Sequence, residues 1–316
     1  MTEAQRILFV AANPSIDRLA EVDVLTIGAI HRPDRVLAVP GGKGLNAARA
    51  AVALGARVTA AAIVAGRAGE WIAERLVEAA IDAALVRDGG LEETRTCLSV
   101  LDRSTGQLTE FYEPGTAIQP ATWPAFEDAL RDEIAVGDVA VVVCSGSLPP
   151  GAPDDAYARI VRLAGSAITI VDTHGAPLGL AVAEHPSVVK VNAAEAAEAT
   201  GLPVTTPAEA ASAARALMER GAGQVVVTLG ADGAVACDGP SAWLLTSTAG
   251  RGSYPVGSGD AFIAGLAIGL VAGSSLVAAA GGGMAAGIAN ALLPGAGILD
   301  AEAAARLLDQ VEVSKL

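Results

Sequence analysis

VAVVVCSGSLPPGAPDDAYARIVRLAGSAITIVD, residues Val139–Asp172, contains the pattern from which the fold class follows. It begins with an apolar, β-branched run at Val139–Ser145 and continues, after a Gly/Pro-rich loop, as an amphipathic stretch at Asp154–Leu163. A second apolar run follows at Ile168–Asp172. Two apolar strands joined by a helix predict a βαβ unit with parallel strands.

The same alternation continues on both sides of this unit. Further strands are predicted at Ile7–Ala11, Val58–Val64, Val188–Val191 and Gln224–Leu229, and further helices at Leu45–Leu54, Glu70–Ala80, Ala125–Glu133, Ala193–Thr200 and Pro207–Arg220. Nearly continuous apolar strands are typical of a sheet covered on both faces. No linker or repeat divides the chain, and we therefore expect an α/β domain with a mainly parallel sheet.

Two stretches, at about 17–39 and 93–113, instead alternate apolar and polar residues without a helical pattern. The second predicts a hairpin that turns at Asp102–Gly106. We interpret the two stretches as a small β-sheet lid over the C-terminal edge of the main sheet. An edge extension of the main sheet would give the same pattern.

Composition excludes several classes of protein. The chain has 316 residues, of which 52% are hydrophobic and 18% charged, and this excludes a disordered chain. The net charge of −14 weighs against a nucleic-acid partner, because such proteins usually carry a basic patch. The three cysteines form no C-x-x-C pair, which argues against disulfides and a zinc site and for a reducing, cytoplasmic location.

The segment Ala261–Leu299 has no charged residue and is long enough for a membrane span. It is rich in Gly and Ala, is interrupted by Gly281–Gly283, and lacks flanking basic residues. We therefore expect two buried helices and no membrane partner. The start of the chain, Met1–Ser15, lacks the features of a signal peptide and predicts a first strand.

A Gly-Ser-Gly turn opens the first of these helices, in Pro255–Phe262. The backbone N–H groups of Gly257, Ser258 and Gly259 are placed to form a small anion-binding nest. Asp260 follows directly. A carboxylate beside an anion site suits a general base that takes the proton of an attacking hydroxyl, although Asp is also a common helix N-cap.

A second glycine-rich helix start, Pro40–Arg49, combines Gly41 and Gly42 with Lys43 and Asn46. Glycines allow a ligand to approach the backbone, and a helix start offers free N–H groups to an anion or to sugar hydroxyls. The spacing does not match a Walker A loop.

Two arginines in the lid stretches, Arg32 and Arg95, are candidate partners of Lys43 in binding a phosphate, because the guanidinium fork suits bidentate contacts. Either is equally consistent with a solvated surface charge. The loop in Cys144–Gly151 follows a buried strand and is either a ligand-binding loop or a plain turn.

Asn192 and Glu195 stand three residues apart where a predicted strand passes into a helix. Their oxygen atoms suit Mg²⁺, which is usually bound in part through water. The same pair also matches a helix capping box, and the sequence alone favours that interpretation.

Taken in order, these motifs resemble the ribokinase-like (PfkB) family of sugar kinases, above all its branch with 1-phosphofructokinase and tagatose-6-phosphate kinase. The segments that carry the resemblance are Asn13–Asp17, His31–Arg32, Pro40–Asn46, Glu93–Arg95, Glu113–Gly115, Ser145–Gly151, Lys190–Glu195 and Gly257–Asp260. The resemblance covers nearly the whole chain. It implies a single kinase domain, residues 1–316, with a three-layer α/β/α fold, a mostly parallel sheet and a small β-sheet lid.

The resemblance also implies a reaction: an ATP- and Mg²⁺-dependent kinase that phosphorylates fructose 1-phosphate, fructose 6-phosphate or tagatose 6-phosphate and forms a homodimer through the lid. Asp260 would be the catalytic base, and Gly257, Ser258 and Gly259 would form the anion hole. The other implied contacts are Asp17, Gly41, Gly42 and Asn46 to sugar hydroxyls; Arg32, Lys43 and Arg95 to the phosphate of the sugar; Ser145 and Ser147 near the substrate; Lys190, Thr228 and Gly230 at the nucleotide; and Asn192 and Glu195 at Mg²⁺.

Four residues depart from the family pattern, namely His174, Val191, Pro255 and Ser258, and none of them removes a catalytic group. Since a fold does not fix its substrate, a kinase of an unphosphorylated sugar or a nucleoside is the alternative. A non-catalytic binding protein ranks last, because it would be expected to have lost Asp260 or a glycine of the anion hole.

Overall fold

Two β-sheets form the framework of residues 5–90, 92–250 and 252–316, the part of the chain that this computed structural model describes. The strands are β1 (Arg6–Ala11), β2 (Ser15–Val22), β3 (Arg35–Gly41), β4 (Val58–Ala65), β5 (Asp82–Asp88), β6 (Thr96–Asp102), β7 (Gln107–Tyr112), β8 (Val139–Ser145), β9 (Ile168–Asp172), β10 (Val188–Asn192), β11 (Gln224–Thr228), β12 (Ala234–Asp238), β13 (Ser241–Ser247) and β14 (Val311–Lys315). The six strands predicted from apolar runs are all present, with ends that differ by at most one residue.

The large sheet has the order β14-β13-β12-β11-β10-β9-β8-β1-β4-β5. From β5 to β11 every neighbouring pair is parallel, whereas β12, β13 and β14 add antiparallel pairs at one edge. The carboxyl ends of the parallel strands therefore lie together along one edge of the sheet. In open sheets of this kind, that edge is where ligands bind.

Helices cover both faces of this sheet. They are α1 (Lys43–Ala53), α2 (Gly66–Glu78), α3 (Thr122–Ala135), α4 (Ala156–Leu163), α5 (Gly175–Val182), α6 (Ala193–Thr200), α7 (Pro207–Glu219), α8 (Ser258–Val271), α9 (Leu276–Ala291) and α10 (Ala301–Leu308). One apolar core contains α1, α2, α8, α9 and α10, and the other contains α3 to α7. Alternate residues of β1 serve the two cores: Phe9 packs in the first and Leu8 in the second. The expected three-layer α/β/α architecture is confirmed.

The remaining four strands form a separate sheet in the order β3-β2-β6-β7. The β2–β6 pair is parallel and the two outer pairs are antiparallel. Since these strands pair only with one another among the described residues, they form the expected lid and not an edge extension of the large sheet. The first predicted stretch is interrupted: residues 23–34 form a loop, which contains Gly28 with φ of 83° and Pro33.

The uncharged segment forms two packed helices, α8 and α9. Glycines bring their backbones close: a Cβ at Gly265 would lie 2.5 Å from the carbonyl oxygen of Gly282. A Cβ at Gly269 would lie 2.7 Å from Cα of Ala279. No helix in the described ranges is both long and apolar enough to cross a membrane.

Candidate active site

A cavity of about 1010 Å³ opens at the carboxyl edge of the parallel strands, beneath the lid. It is lined by sixteen of the eighteen residues proposed from the sequence: Asp17, Gly42, Lys43, Asn46, Arg95, Ser145, Ser147, Lys190, Asn192, Glu195, Thr228, Gly230, Gly257, Ser258, Gly259 and Asp260. Residues separated by more than two hundred positions in the chain thus meet in one site.

The other two proposed residues, Gly41 and Arg32, are not among the residues that line the cavity. Gly41 lies directly behind it, where a Cβ would be only 2.0 Å from Cγ of Asp17, so glycine makes room for that carboxylate. Arg32 is exposed on the 23–34 loop of the lid. The chain therefore does not bring Arg32 to Lys43 and Arg95 within its own cavity.

Asp260 lies in the first turn of α8, directly after the Gly-Ser-Gly turn. Gly257, with φ of 83°, is the N-cap of this helix, so the alternative role of Asp260 as the N-cap is wrong. Its carboxylate instead accepts a hydrogen bond from Asn46 Nδ2 at 3.0 Å. Burial raises the pKa of Asp260 from 3.8 to about 7, and the charge of Asp172 adds to the rise, whereas Lys43 opposes it.

Asn46, on α1, is buried and links two carboxylates. Its Nδ2 donates both to Asp260 and, at 3.1 Å, to Oδ2 of Asp17 on β2. Asp17 also accepts a hydrogen bond of 2.6 Å from the Ser15 hydroxyl and a longer one of 3.4 Å from the Gly42 backbone. A polar ligand bound at Asp17 is therefore close to Asp260.

One buried carboxylate, that of Asp172, contacts two lysines of the site. Asp172, at the end of β9, lies 3.3 Å from Lys43 Nζ and 3.5 Å from Lys190 Nζ. Burial acts to raise the pKa of Asp172, but the two ammonium groups outweigh it and hold that pKa below its ordinary value. A Cβ at Gly259 would lie 3.2 Å from Lys190 Nζ, so this lysine reaches the Gly257–Gly259 turn.

Asp172 was not predicted as a site residue from the sequence. The available signal was its position as the last residue of an apolar strand, the place where the carboxyl edge of a parallel sheet presents polar side chains.

Asn192 and Glu195 form the capping box that the sequence favoured, with both reciprocal hydrogen bonds present. Glu195 also accepts a hydrogen bond from Lys43 Nζ at 3.1 Å. Burial would lower the pKa of Lys43, but the carboxylates of Asp172, Glu195 and Asp260 outweigh it and raise that pKa. Lys43 is consequently a cation that is already paired with two carboxylates.

Arg95, at the lid side of the cavity, donates hydrogen bonds of 3.1 to 3.4 Å to the backbone carbonyl oxygens of Asn13, Pro14 and Glu113 and, within the described part of the chain, to no side chain. Its charge is therefore available to an anion. Ser147 accepts a hydrogen bond from Asn13 Nδ2 at 3.0 Å.

On another side of the cavity, Thr228 ends β11 and Gly230 follows it. Apolar residues of α9, including Met284 and Ile288, complete the wall. His174 and Pro255, two departures from the family pattern, also line the cavity. Val191 is buried within β10, and Ser258 is the first residue of α8.

Comparison with known proteins finds similar chains among sugar-phosphate kinases. The chain is 35% identical over 263 residues to 1-phosphofructokinase of Rhodobacter capsulatus, covering 83% of this chain and 82% of that protein. It is 31% identical over 312 residues to tagatose-6-phosphate kinase of Staphylococcus epidermidis, covering 97% and 99% of the two chains. The tetrameric inhibited form of phosphofructokinase-2 from Escherichia coli matches with a TM-score of 0.86 and 26% identity, over 96% of this chain and 98% of that one.

The fold is ribokinase-like, as expected. The family model for pfkB family carbohydrate kinases matches residues 10–304, which include the lid, the Gly257–Gly259 turn and Asp260. Members of this family are enzymes that transfer a phosphoryl group to a hydroxyl. With this match and relatives above 30% identity over most of its length, the chain belongs to the pfkB family of carbohydrate kinases.

Proposed function

We propose that the chain is an ATP-dependent kinase of a ketohexose phosphate in which Asp260 is the general base. The observation that carries this proposal is the position of the Asp260 carboxylate. It is buried beside the backbone of Gly257–Gly259 and is linked to Asp17 through Asn46. A general base must lie within hydrogen-bond reach of the hydroxyl that it deprotonates, and a hydroxyl held by Asp17 is within such reach.

The burial of Asp260 matches this role. A pKa near 7 leaves the carboxylate partly protonated at neutral pH and makes it a stronger base than an exposed aspartate. As it takes the proton, the acceptor oxygen attacks the γ-phosphorus of ATP, the bond to the β-phosphate oxygen breaks, and ADP leaves. The amides of Gly257, Ser258 and Gly259 and the ammonium of Lys190 are placed to stabilise the charge on the transferred group.

ATP would occupy the side of the cavity formed by Thr228, Gly230 and α9. Mg²⁺ bound with ATP supplies charge neutralisation at its phosphates. The residues present fit that ion, because Mg²⁺ needs only one or two carboxylates beside phosphates and water, and Glu195 lies at the cavity wall with Asn192. Within the described ranges no cluster of three or more His, Cys, Asp and Glu is arranged to hold a metal by itself.

The acceptor would lie under the lid, with Asp17 and Asn46 bonding its hydroxyls and Ser145 and Ser147 nearby. Arg95 is the candidate for its phosphate, since the guanidinium contacts neutral carbonyls only and its fork suits a phosphate. The named substrates of the two relatives, a fructose phosphate kinase and a tagatose phosphate kinase, support this class. A lid closed over the acceptor would also keep water from the phosphoryl group.

One observation keeps a second candidate open, a kinase of an unphosphorylated sugar or nucleoside. Lys43 is paired with Asp172 and Glu195, and Arg32 lies outside the cavity. Binding of the phosphate of the sugar would then depend mainly on Arg95, and not on all three of the cations expected from the sequence.

We also propose that two copies associate through the lid. The face of the lid opposite Asp17 exposes Val36 (57%) and Phe111 (59%), and the adjoining 23–34 loop exposes Ile27 and Ile30. Exposed apolar side chains gathered on one surface are typical of an interface.

The function is tested by ADP release with Mg-ATP and a panel of fructose, fructose 1-phosphate, fructose 6-phosphate, tagatose 6-phosphate, ribose and adenosine. Turnover confined to phosphorylated ketohexoses supports the proposal and identifies the substrate. Turnover of an unphosphorylated sugar or of adenosine supports the second candidate and removes the role of Arg95.

A further inference from the structure

Arg49 lies on α1, one turn after Asn46, and its guanidinium contacts three separate parts of the site. Nη1 donates to Asn46 Oδ1 at 3.2 Å and to the carbonyl oxygen of Ala296 at 2.6 Å. Nη2 donates to the carbonyl oxygen of Pro40. One side chain therefore joins the end of β3, the amide between the two carboxylates, and the loop after α9.

The first contact fixes which way the Asn46 amide faces. A guanidinium has only donors, so it can bond only to the amide oxygen. With that oxygen held by Arg49, the NH₂ group is directed at Asp17 and Asp260, to which it donates at 3.1 and 3.0 Å. A reversed amide would place its oxygen against two carboxylates and its NH₂ against a cation, losing all three hydrogen bonds.

The other two contacts reach the backbone on both sides of the reaction. Pro40 immediately precedes Gly41 and Gly42 at the acceptor side. Ala296 packs against the anion hole, since a Cβ at Gly257 would lie 2.6 Å from its Cα. Displacement of either backbone would therefore change the distance between acceptor and phosphoryl donor.

The charge of Arg49 also interacts with the carboxylates of Asp17 and Asp260. Burial lowers the pKa of Arg49 to about 10, and the negative charges of Asp17 and Asp260 oppose this fall. The side chain therefore remains a cation at neutral pH, and it offsets part of the negative charge that Asp17 and Asp260 bring together.

We propose that Arg49 is a positioning residue for phosphoryl transfer, which holds the Asn46 amide between Asp17 and Asp260 and fixes the Pro40 and Ala296 backbones relative to each other. The inference rests on the proposed function, because it concerns the geometry around the base Asp260. A misplacement of about 1 Å among reacting groups can lower a rate by about 100-fold.

Arg49→Lys is the first variant, because it keeps the charge and most of the stem but has no planar fork with which to reach three acceptors. We expect kcat to fall by about 10-fold or more, because the reacting groups are no longer held in register. The KM for ATP should stay within about twofold, since none of the three contacts of Arg49 reaches Thr228, Gly230 or α9, where ATP would bind. Arg131→Met is the control: Arg131 is exposed on α3, paired with Asp128, and its loss should leave kcat unchanged.

A double-mutant cycle with Asn46→Ala separates positioning from a general loss of stability. Because Arg49 acts in part through Asn46, Arg49→Lys should lower kcat by a smaller factor in the Asn46→Ala background than in the wild-type chain. Equal factors in the two backgrounds, or wild-type kcat in Arg49→Lys, would overturn the proposal. The coupling is measured whichever residue is the base, whereas Asp260→Asn tests the base alone, so the two proposals fail separately.

Discussion

Asp17 and Asp260 share one hydrogen-bond donor: Asn46 Nδ2 lies 3.1 Å from Asp17 Oδ2 and 3.0 Å from Asp260 Oδ2. The two carboxylates come from β2 and α8, one in the lid sheet and the other beside the large sheet. A polar acceptor bound at Asp17 is therefore close to Asp260. Asn46 thus connects the lid sheet to α8 at the place where the proposed reaction would occur.

Replacement of Asp260, the proposed base, should remove most of the activity. Asp260→Asn keeps the shape and the hydrogen bond to Asn46 but cannot accept the proton, so we expect kcat to fall by at least about 100-fold. Steady-state ADP release measures it. Asp155→Asn, which changes an exposed aspartate paired with Arg159, is the control. Near-native turnover in a folded Asp260→Asn variant would show that another group is the base.

The pH profile should show the raised pKa of Asp260. The base acts when deprotonated, so kcat/KM should fall as the pH drops through the raised pKa, which is about 7 and not near 4. Asp172→Asn removes a negative neighbour and should move this acid limb to lower pH. The ionisation of the substrate is the same for both proteins, so the difference between the two profiles isolates the enzyme group. If the acid limbs of the wild-type and Asp172→Asn profiles are identical, this is evidence against Asp260 as the base.

Arg95→Ala should weaken binding of the sugar phosphate more than it slows the chemistry. Loss of a hydrogen bond between charged groups amounts to about 1.5–3 kcal/mol, which is a rise in KM of about 10- to 100-fold. Arg103→Ala is the matched control in the lid, because Arg103 pairs with Asp23 and Asp34. If KM for the sugar phosphate does not change in Arg95→Ala, the phosphate binds elsewhere.

The anion hole should not tolerate a side chain at its first residue. Gly257 has φ of 83°, and an added Cβ would lie 2.6 Å from Cα of Ala296, so Gly257→Ala must shift the backbone. We expect a fall in kcat of about 10-fold or more, as for loss of an oxyanion donor. Gly273→Ala is the control, since Gly273 has φ of 74° but open space around it. That variant should lose about 1 kcal/mol of stability and keep its kcat; equal kcat losses in both variants would show that backbone strain alone is responsible.

The proposed lid interface can be tested by introducing a charged side chain into it. Phe111→Glu places a carboxylate on the exposed lid face and should shift the protein toward monomers in sedimentation equilibrium. Val77→Glu, at an even more exposed apolar residue on α2, should not change the mass. A wild-type chain that is monomeric at all concentrations, or a Phe111→Glu variant with unchanged mass, would contradict association through the lid.

Sequence patterns predicted the parallel strands well and the edges poorly. The strands β5, β12, β13 and β14, toward the two edges of the large sheet, and the helices α5 and α10 were not predicted. In α5 the sequence GAPLGLAV contains two glycines and a proline, which disfavour a helix on propensity alone. Leu178 of that helix is fully buried, so packing on the sheet stabilises what the local sequence does not.

The part of the site that could be predicted from the sequence consists of short motifs at the starts of helices. The Gly-Ser-Gly-Asp turn, the Asn192–Glu195 capping box and the glycine-rich start of α1 each lie within a few residues, and the short-range geometry of a helix start fixes them. The same holds for the alternation that predicts the α/β fold and the lid, because strand and helix periods are properties of neighbouring residues.

The remaining features depend on contacts between distant elements. Asn46 meets Asp260 across 214 positions, and Asp172 meets Lys43 across 129, so no local pattern could show that Asp260 is buried, that one amide serves two carboxylates, or that Lys43 is already paired. The same folding leaves Arg32 exposed on the lid, outside the cavity to which its motif had assigned it. Periodicity fixes which elements form, whereas burial and the approach of charges, which set pKa values and orient the reacting groups, arise only when those elements pack together.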